Sequence, residues 1–549
     1  MHARVESSGG GRSGTGWRAL VGAGAAAVVL LAGTVVPAGA AGVAVPKTFS
    51  SALSPADIAR LAANPTERVI VLLRNQHPEK PGASGQRASR ASTLQSDQSH
   101  ITNELKTLGA PSVHAYSFVN AVAATVSKAE ASRIATDPAV LAVVPDTVVH
   151  APSQAASDAA MAAAVGASPS IVTGPNPVIG QASDVCPTDP SKPLLEPEAL
   201  QVMNVDFGPG STKPAAHDLA TGKGVKIAVF PDGLDPNIPD FRRADGTSAI
   251  FDYQDFSGQG LDAPTGGGEA FGDASSLISQ GTQTYDLSGQ VNPAHPLPPG
   301  CNIRIKGVAP DASVAVMKVF STNVAFNSQI LQGVDWAITQ DGVDILSQSF
   351  GGNPVPNPGT DPIALLDADA VAAGITVVVS SGDAGTTNTI GTPATNPGVI
   401  SVGATTTYRL YAQTASYGYP LAGNGWISDN VSAFSSSGHT DFGPRTIDVV
   451  APGESGWSDC STDTATFANC ADIYGGPTPQ PIEAFGGTSE SCPLTAGTAA
   501  LVIQAYRDTH RGATPSPALV KQIIMSTAQD LDVTSDNQGA GLVDALRAV

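Results

Sequence analysis

Apolar and polar positions divide the chain into two patterned stretches joined by one without period. Between residues 54 and 150, the run Arg68-Val69-Ile70-Val71-Leu72-Leu73 predicts a strand and Ser89 to Leu108 a polar helix. Ala115 to Val126 predicts two short strands, Lys128 to Ala135 a helix, and Val140 to Val149 a last strand. The order β-α-β-β-α-β is that of a small α+β, ferredoxin-like unit. From Ala151 to about Pro193 the sequence is rich in Ala, Ser and Pro, which suits an exposed processing linker. The second pattern opens with Val225-Lys226-Ile227-Ala228-Val229-Phe230, a nearly continuous apolar run of the kind buried in a parallel sheet. Similar runs follow at Val314–Val319, Ile345–Ser349, Thr376–Ser380 and Val399–Val402, with helix-period stretches such as Ile330–Ile338 and Leu365–Ala373 between them. Strands alternating with helices predict a doubly wound, mostly parallel α/β sheet, with its site at the carboxyl ends of the strands.

The ends and the charge narrow the class. Arg4, Arg12 and Arg18 precede an apolar run from Ala19 to Val36, and Ala38-Gly39-Ala40 offers a small-residue cleavage site. This predicts a signal peptide over 1–40, a secreted extracellular product, and no membrane association once the signal is removed. An uncleaved anchor is the alternative, because the run approaches the ~18–20 residues of a membrane span. With 549 residues the chain exceeds one core, so two or three folded units plus processed segments are expected. Charged residues make up only 14%, and 48 acids against 28 bases leave a net charge of -20, which argues against nucleic acid or anionic membrane surfaces as partners. Such a surface loses its self-repulsion in mild acid, which permits an acidic working environment. In an oxidising compartment the five cysteines are expected to pair, leaving one free. Cys460 and Cys470 bracket a short polar loop and are the first candidates, Cys186 with Cys301 the second, and Cys492 reads as a buried, inert thiol.

Candidate chemistry centres on Gly487-Thr488-Ser489, where a serine opens a small-residue helical stretch. Backbone amides and the helix dipole there stabilise developing negative charge. Around it stand, in order, Gly307-Val308-Ala309-Pro310-Asp311-Ala312, Ser349-Phe350-Gly351-Gly352, Asp448-Val449-Val450-Ala451-Pro452-Gly453, Pro493, and Gly539-Ala540-Gly541-Leu542-Val543-Asp544-Ala545. Over residues 200–549 this set resembles the subtilases, and the segment ending Val140-Leu141-Ala142-Val143-Val144-Pro145-Asp146 resembles a subtilase propeptide. The resemblance implies a subtilisin-like peptidase, and a propeptide that assists folding and inhibits through its C-terminal tail. The expected division is signal 1–40, propeptide 41–150, linker and processing region 151–199, and peptidase domain 200–549.

A serine nucleophile needs a base, and the base an orienting acid. The subtilase positions for both are altered. Phe230-Pro231-Asp232-Gly233 puts the acid one residue late, so Asp232 reads as a turn residue, and the His-Gly-Thr-His helix is replaced by Gly268-Glu269-Ala270-Phe271-Gly272-Asp273, followed by an insertion of about two dozen residues up to Lys306. Glu269 and Asp273 are four apart and share a helix face. Gly382-Asp383-Ala384-Gly385 carries Asp where subtilases carry an oxyanion-donating Asn. Together with Gly486-Gly487-Thr488-Ser489 these resemble the sedolisins, serine-carboxyl peptidases of the subtilase fold. That resemblance implies Ser489 as nucleophile, Glu269 as general base, Asp273 as its orienting partner and Asp383 as oxyanion donor. It depends on acid: a carboxyl near pKa ~4 accepts a proton where imidazole is already protonated, and Asp383 donates only as a neutral acid. Gly272 departs from the leucine usual there.

The leading expectation is a secreted endopeptidase acting on polypeptides by acyl transfer, monomeric, inhibited by its own propeptide, and needing no cofactor for catalysis. Asp532-Val533 and Asp536 hint at a structural calcium site, but the Gly/Asp pattern that follows does not complete one. The alternatives are a pseudopeptidase that binds peptide without turnover, and a site pairing Ser489 with Asp232 or with His295, which otherwise reads as a loop histidine.

Overall fold

A computed structural model describes residues 53–150, 178–179, 185–294, 296–322, 324–352, 359–414, 427–428, 430–438, 446–471 and 474–549; the predicted signal, most of the linker and His295 lie outside these described residues. The propeptide segment consists of α1 (Pro55–Leu61), β1 (Glu67–Leu73), α2 (Arg87–Thr107), β2 (His114–Ala115), β3 (Ala121–Val126), α3 (Lys128–Ile134) and β4 (Val140–Pro145). Its antiparallel sheet has the order β2-β3-β1-β4.

The continuous apolar run of β1 has a physical cause, because both of its faces are covered. Val69 and Val71 pack on Ile101, Leu105 and Ile134 of the segment's own helices. Ile70 and Leu72 pack instead into a core that includes Ile330, Leu331 and Val334 of the following domain. Sequence pattern predicts one strand over 140–149, but β4 stops at Pro145. Without an N–H, proline cannot extend a ladder on both sides. The chain then turns, and β5 (Val148–His150) pairs antiparallel with β11 (Val324–Phe326), placing Val148 opposite Phe326.

The second domain is a doubly wound α/β sandwich. Its strands β7 (Lys226–Val229), β8 (Ile250–Asp255), β10 (Ser313–Lys318), β12 (Ile345–Gln348), β13 (Thr376–Ser380), β14 (Ile400–Thr405) and β15 (Val449–Pro452) form one seven-stranded sheet, ordered β15-β14-β13-β12-β7-β10-β8. Every pairing in it is parallel. Helices α6 (Asn327–Trp336) and α7 (Pro362–Ala372) lie on the face that meets the propeptide segment, while α5 (Gly268–Ile278) and α9 (Thr488–Thr509) cover the other.

Residues from 185 onward, read from composition as linker, pack against this body. Val185, Leu195, Glu196 and Glu198 are buried. Here β6 (Leu194–Glu196) pairs parallel with β9 (Asn302–Ile305), and α4 (Ala199–Val202) follows. Polar and proline-rich composition hid these residues because no periodic face marks their burial. Both expected disulfides are present, Cys186–Cys301 and Cys460–Cys470. Cys492 is a free, fully buried thiol whose pKa burial pushes up to about 12, so it is inert.

Candidate active site

The reversal of strand order beside β7 opens a crevice at the carboxyl ends of the strands. Asp232 follows β7, Ser349 follows β12 and Asp383 follows β13, so all three reach the same end of the sheet. Gly487 adopts φ 91°, a left-handed value open to glycine, and its amide donates to the Gly453 carbonyl at 2.6 Å. That turn starts α9, leaving Thr488 and Ser489 as the first two helical residues, both 1% exposed. The amides of a first helical turn have no partners within the helix.

Glu269 lies in the first turn of α5 and Asp273 one turn later, with Asp273 1% exposed and Glu269 partly buried. The helix begins after Gly267, at φ 83°. The Ser489 hydroxyl lies 3.5 Å from the Ser349 carbonyl. Oε1 of Glu269 is buried and receives no hydrogen bond. Asp273 is held by the Ser349 hydroxyl, which donates to its Oδ1 at 2.9 Å; the Ser489 carbonyl stands 3.2 Å from the same hydroxyl. In the sequence Ser349 stands out only as part of the motif Ser349-Phe350-Gly351-Gly352, and nothing local marks its link between acid and nucleophile.

Burial drives the electrostatics. It raises Glu269 well above the ordinary carboxyl range, and the charge of Asp273 adds to the rise, against the opposing contact from Ser489. Burial likewise raises Asp273, opposed by the Ser349 hydroxyl. Two such carboxyls share a proton, so they titrate as a pair.

Asp232 departs from its sequence reading as a turn residue. It is 4% exposed, accepts the Gly267 amide on Oδ2 at 2.8 Å, and its charge raises Glu269, Asp273 and the buried Glu483. The one-residue displacement therefore turns the side chain toward the start of α5 rather than toward solvent. On the opposite side, Asp383 receives both the amide and the hydroxyl of Thr488 on Oδ1, at 2.9 and 2.8 Å. Its loop is fastened by Gly382 N to Thr488 Oγ1 at 3.1 Å and by Ser436 N to the Gly382 carbonyl at 2.7 Å.

The acids of the calcium hint lie in the segment before the last turn of the chain. Asp530 Oδ1 is occupied by the Asp532 amide and the Gln538 side chain, both at 2.8 Å, and Asp532 is exposed. Among the described residues, the one grouping with metal-ligand spacing is Cys460, Cys470 and Glu483, whose cysteines are already joined to each other.

Comparison with known proteins places these features in context. The model of the subtilase family matches residues 222–542, and that of the peptidase inhibitor I9 family matches residues 68–152. Subtilisin E of Bacillus subtilis (strain 168) is 29% identical over 373 residues, which cover 66% of this chain and 76% of its own. Serine protease AprX of the same strain is 28% identical over 343 residues, 60% of this chain and 67% of its own. Among solved structures, fervidolysin from Fervidobacterium pennivorans, described as a keratinolytic enzyme related to subtilisin, superposes with a TM-score of 0.53 at 17% identity. The match covers 88% of this chain and 60% of fervidolysin, and at that identity it speaks for the fold alone.

Proposed function

This chain belongs to the subtilase family of serine endopeptidases, and on that premise we propose that it is a secreted, monomeric endopeptidase that cuts polypeptides in acidic surroundings through Ser489, Glu269, Asp273 and Asp383. The observation that carries the reading is the link from Asp273 to the nucleophile through Ser349, whose hydroxyl donates to Asp273 at 2.9 Å and stands 3.2 Å from the Ser489 carbonyl, with Glu269 one turn earlier on the same helix.

Ser489 attacks the peptide carbonyl and its proton passes to Glu269, stabilised by Asp273. Negative charge on the carbonyl oxygen is met by amides of the first turn of α9 and by Asp383 in its neutral form. Thr488 holds Asp383 beside that turn, its amide and hydroxyl both donating to Oδ1. Glu269 then protonates the leaving amine, and water reverses the sequence to release the acyl group. No step calls for a metal or cofactor.

The propeptide reading rests on β5. Its pairing with β11 lays the end of the inhibitor segment along the peptidase as an added antiparallel strand, the way an extended peptide binds a sheet edge. No helix among the described residues is long and apolar enough to cross a membrane.

The test is a ranking of variants on a peptide substrate. Glu269→Ala and Asp273→Ala are each expected to lose nearly as much kcat as Ser489→Ala, because groups acting as one unit are not additive. Asp232→Asn is expected to keep far more activity. The reverse order would return the chain to an aspartate-dependent scheme.

A further inference from the structure

A second group of buried acids includes the residue that follows the nucleophile. Glu490, next to Ser489, is 1% exposed, and Glu196, Glu198 and Glu454 are 1%, 4% and 5% exposed. They come from four places: β6, the turn into α4, the loop after β15, and the first turn of α9. A Cβ added to Gly456, which opens β16 (Gly456–Asp459), would meet both Pro197 and the Glu490 carboxyl, so Glu490 lies close to the residue between Glu196 and Glu198.

Buried charge is neutralised by an opposite charge, a metal ion or a proton. A cation among the described residues is Arg409, which opens α8 (Arg409–Thr414), is 2% exposed and places Nη1 3.3 Å from Glu196 Oε1. Glu198 Oε2 accepts the Tyr408 and Arg409 amides at 3.0 and 2.8 Å, an arrangement that suits a carboxylate. Glu454 Oε2 accepts only a neutral donor, the Ser432 hydroxyl, at 2.8 Å. Glu490 Oε2 is buried and receives no hydrogen bond. Among the described residues these acids do not converge as metal ligands. Protons remain as the means of neutralising Glu454 and Glu490.

We infer that this cluster is a proton-loaded latch: with Glu454 and Glu490 as neutral acids it holds residues 194–202 and the start of α9 to the peptidase body, and ionising them as pH rises unfastens that N-terminal segment. The groups facing Glu490 are Glu196 and Glu198 from the N-terminal segment and Glu454 from the loop after β15; at α8, Arg409 and Tyr408 face Glu196 and Glu198, and Tyr411 faces Glu454. Burial and the neighbouring carboxylates raise Glu490 well above its ordinary range, and burial raises Glu454 to about 7. An acid whose pKa is higher folded than unfolded binds its proton more tightly in the fold. Its contribution to stability is therefore complete below the ordinary value of 4.5 and is lost as pH climbs toward 7. The latch does not depend on Glu269 being the base.

The experiment uses the full-length Ser489→Ala chain, which cannot cut itself. Its unfolding constant, from urea denaturation between pH 4.5 and 7, is expected to rise with pH, each titrating acid contributing up to about tenfold per pH unit. Glu454→Gln and Glu490→Gln should each flatten that slope. Variants that retain the full slope, or a parent chain whose stability is level or rises with pH, would overturn the latch. Should Glu490→Gln fail to fold, Glu454→Gln together with hydrogen exchange of the unaltered Ser489→Ala chain decides. Protection of residues 194–202, corrected for intrinsic rates, should fall between pH 5 and 7, and unchanged protection counts against the latch.

Discussion

Asp383 presents one oxygen to two donors on Thr488, the residue before the nucleophile, so its position is fixed by the very turn it serves. If it donates to the oxyanion as a neutral acid, Asp383→Ala costs on the order of 3 kcal/mol in the chemical step. Asp383→Asn keeps a donor at every pH, so it should retain measurable activity and extend it toward higher pH when Asp383 sets the alkaline limit. The signs run in opposite directions at the two ends of the profile. The Glu269–Asp273 pair must lose its first proton to act as base, so activity is gained as pH rises through that step, which burial moves upward. It is lost again as Asp383 ionises. A kcat profile of wild type and both variants checks this, and an Asp383→Ala enzyme as fast as wild type removes the donor role. At this scale the sequence was informative where chemistry goes with local spacing: Ser489 after two glycines and a threonine, and two carboxyls one helical turn apart. It was uninformative for Asp232 and Ser349, whose roles depend on which way a strand end points and on what lies across the crevice.

The helix α5 explains a departure seen in its own sequence. A Cβ built on Gly272 would meet the Phe485 ring, at the end of β17 (Ile482–Phe485), at 2.2–2.4 Å, closer than any real contact. Glycine lets the helix lie directly on that ring, where a leucine could not. Gly272→Ala should therefore force helix and ring apart, costing ~1–3 kcal/mol of stability, seen as a lower Tm. Because Asp273 is the next residue, kcat should fall more than KM rises. The loop closed by Cys460–Cys470 supports the same helix from its N-terminal side, with Phe467 edge-on to Phe271 at 5.2 Å and Asn469 against Gly268. Strands and helices of the sheet were legible to within a few residues because buried parallel strands are continuous apolar runs. The division of 140–149 into β4 and β5 was not, because periodicity reports burial and cannot say which sheet does the burying.

Across the whole molecule, the inhibitor segment docks on the ends of two peptidase helices. Asp146 accepts the Ser328 amide at 2.9 Å at the start of α6 while paired to Arg68 at 2.8 Å, and Asp335 of α6 accepts the Ser117 and Phe118 amides at 2.9 and 2.6 Å. Asp369 of α7 pairs with the buried Arg90 at 2.6 Å. Asp369→Asn removes a charge that the mature enzyme does not otherwise use, and it leaves Arg90 buried without its counter-ion, a loss of about 3 kcal/mol in docking. The precursor carrying it should show a shorter lag before activity, with mature kcat and KM unchanged; an unaltered lag would mean that this pair contributes nothing to restraint. The inhibitor segment and the peptidase sheet each carry their own periodic pattern in the sequence, whereas the polar contacts between them involve single residues that no pattern marks. The Cys186–Cys301 bond also has a consequence for the protein's history after it is made. It closes a covalent ring, with a sequence separation of 115 residues, around β7, Asp232 and the whole of α5. A peptidase that nicks a copy of itself anywhere within that ring produces two polypeptides that remain one molecule, so damage there is silent to size until a reductant is added.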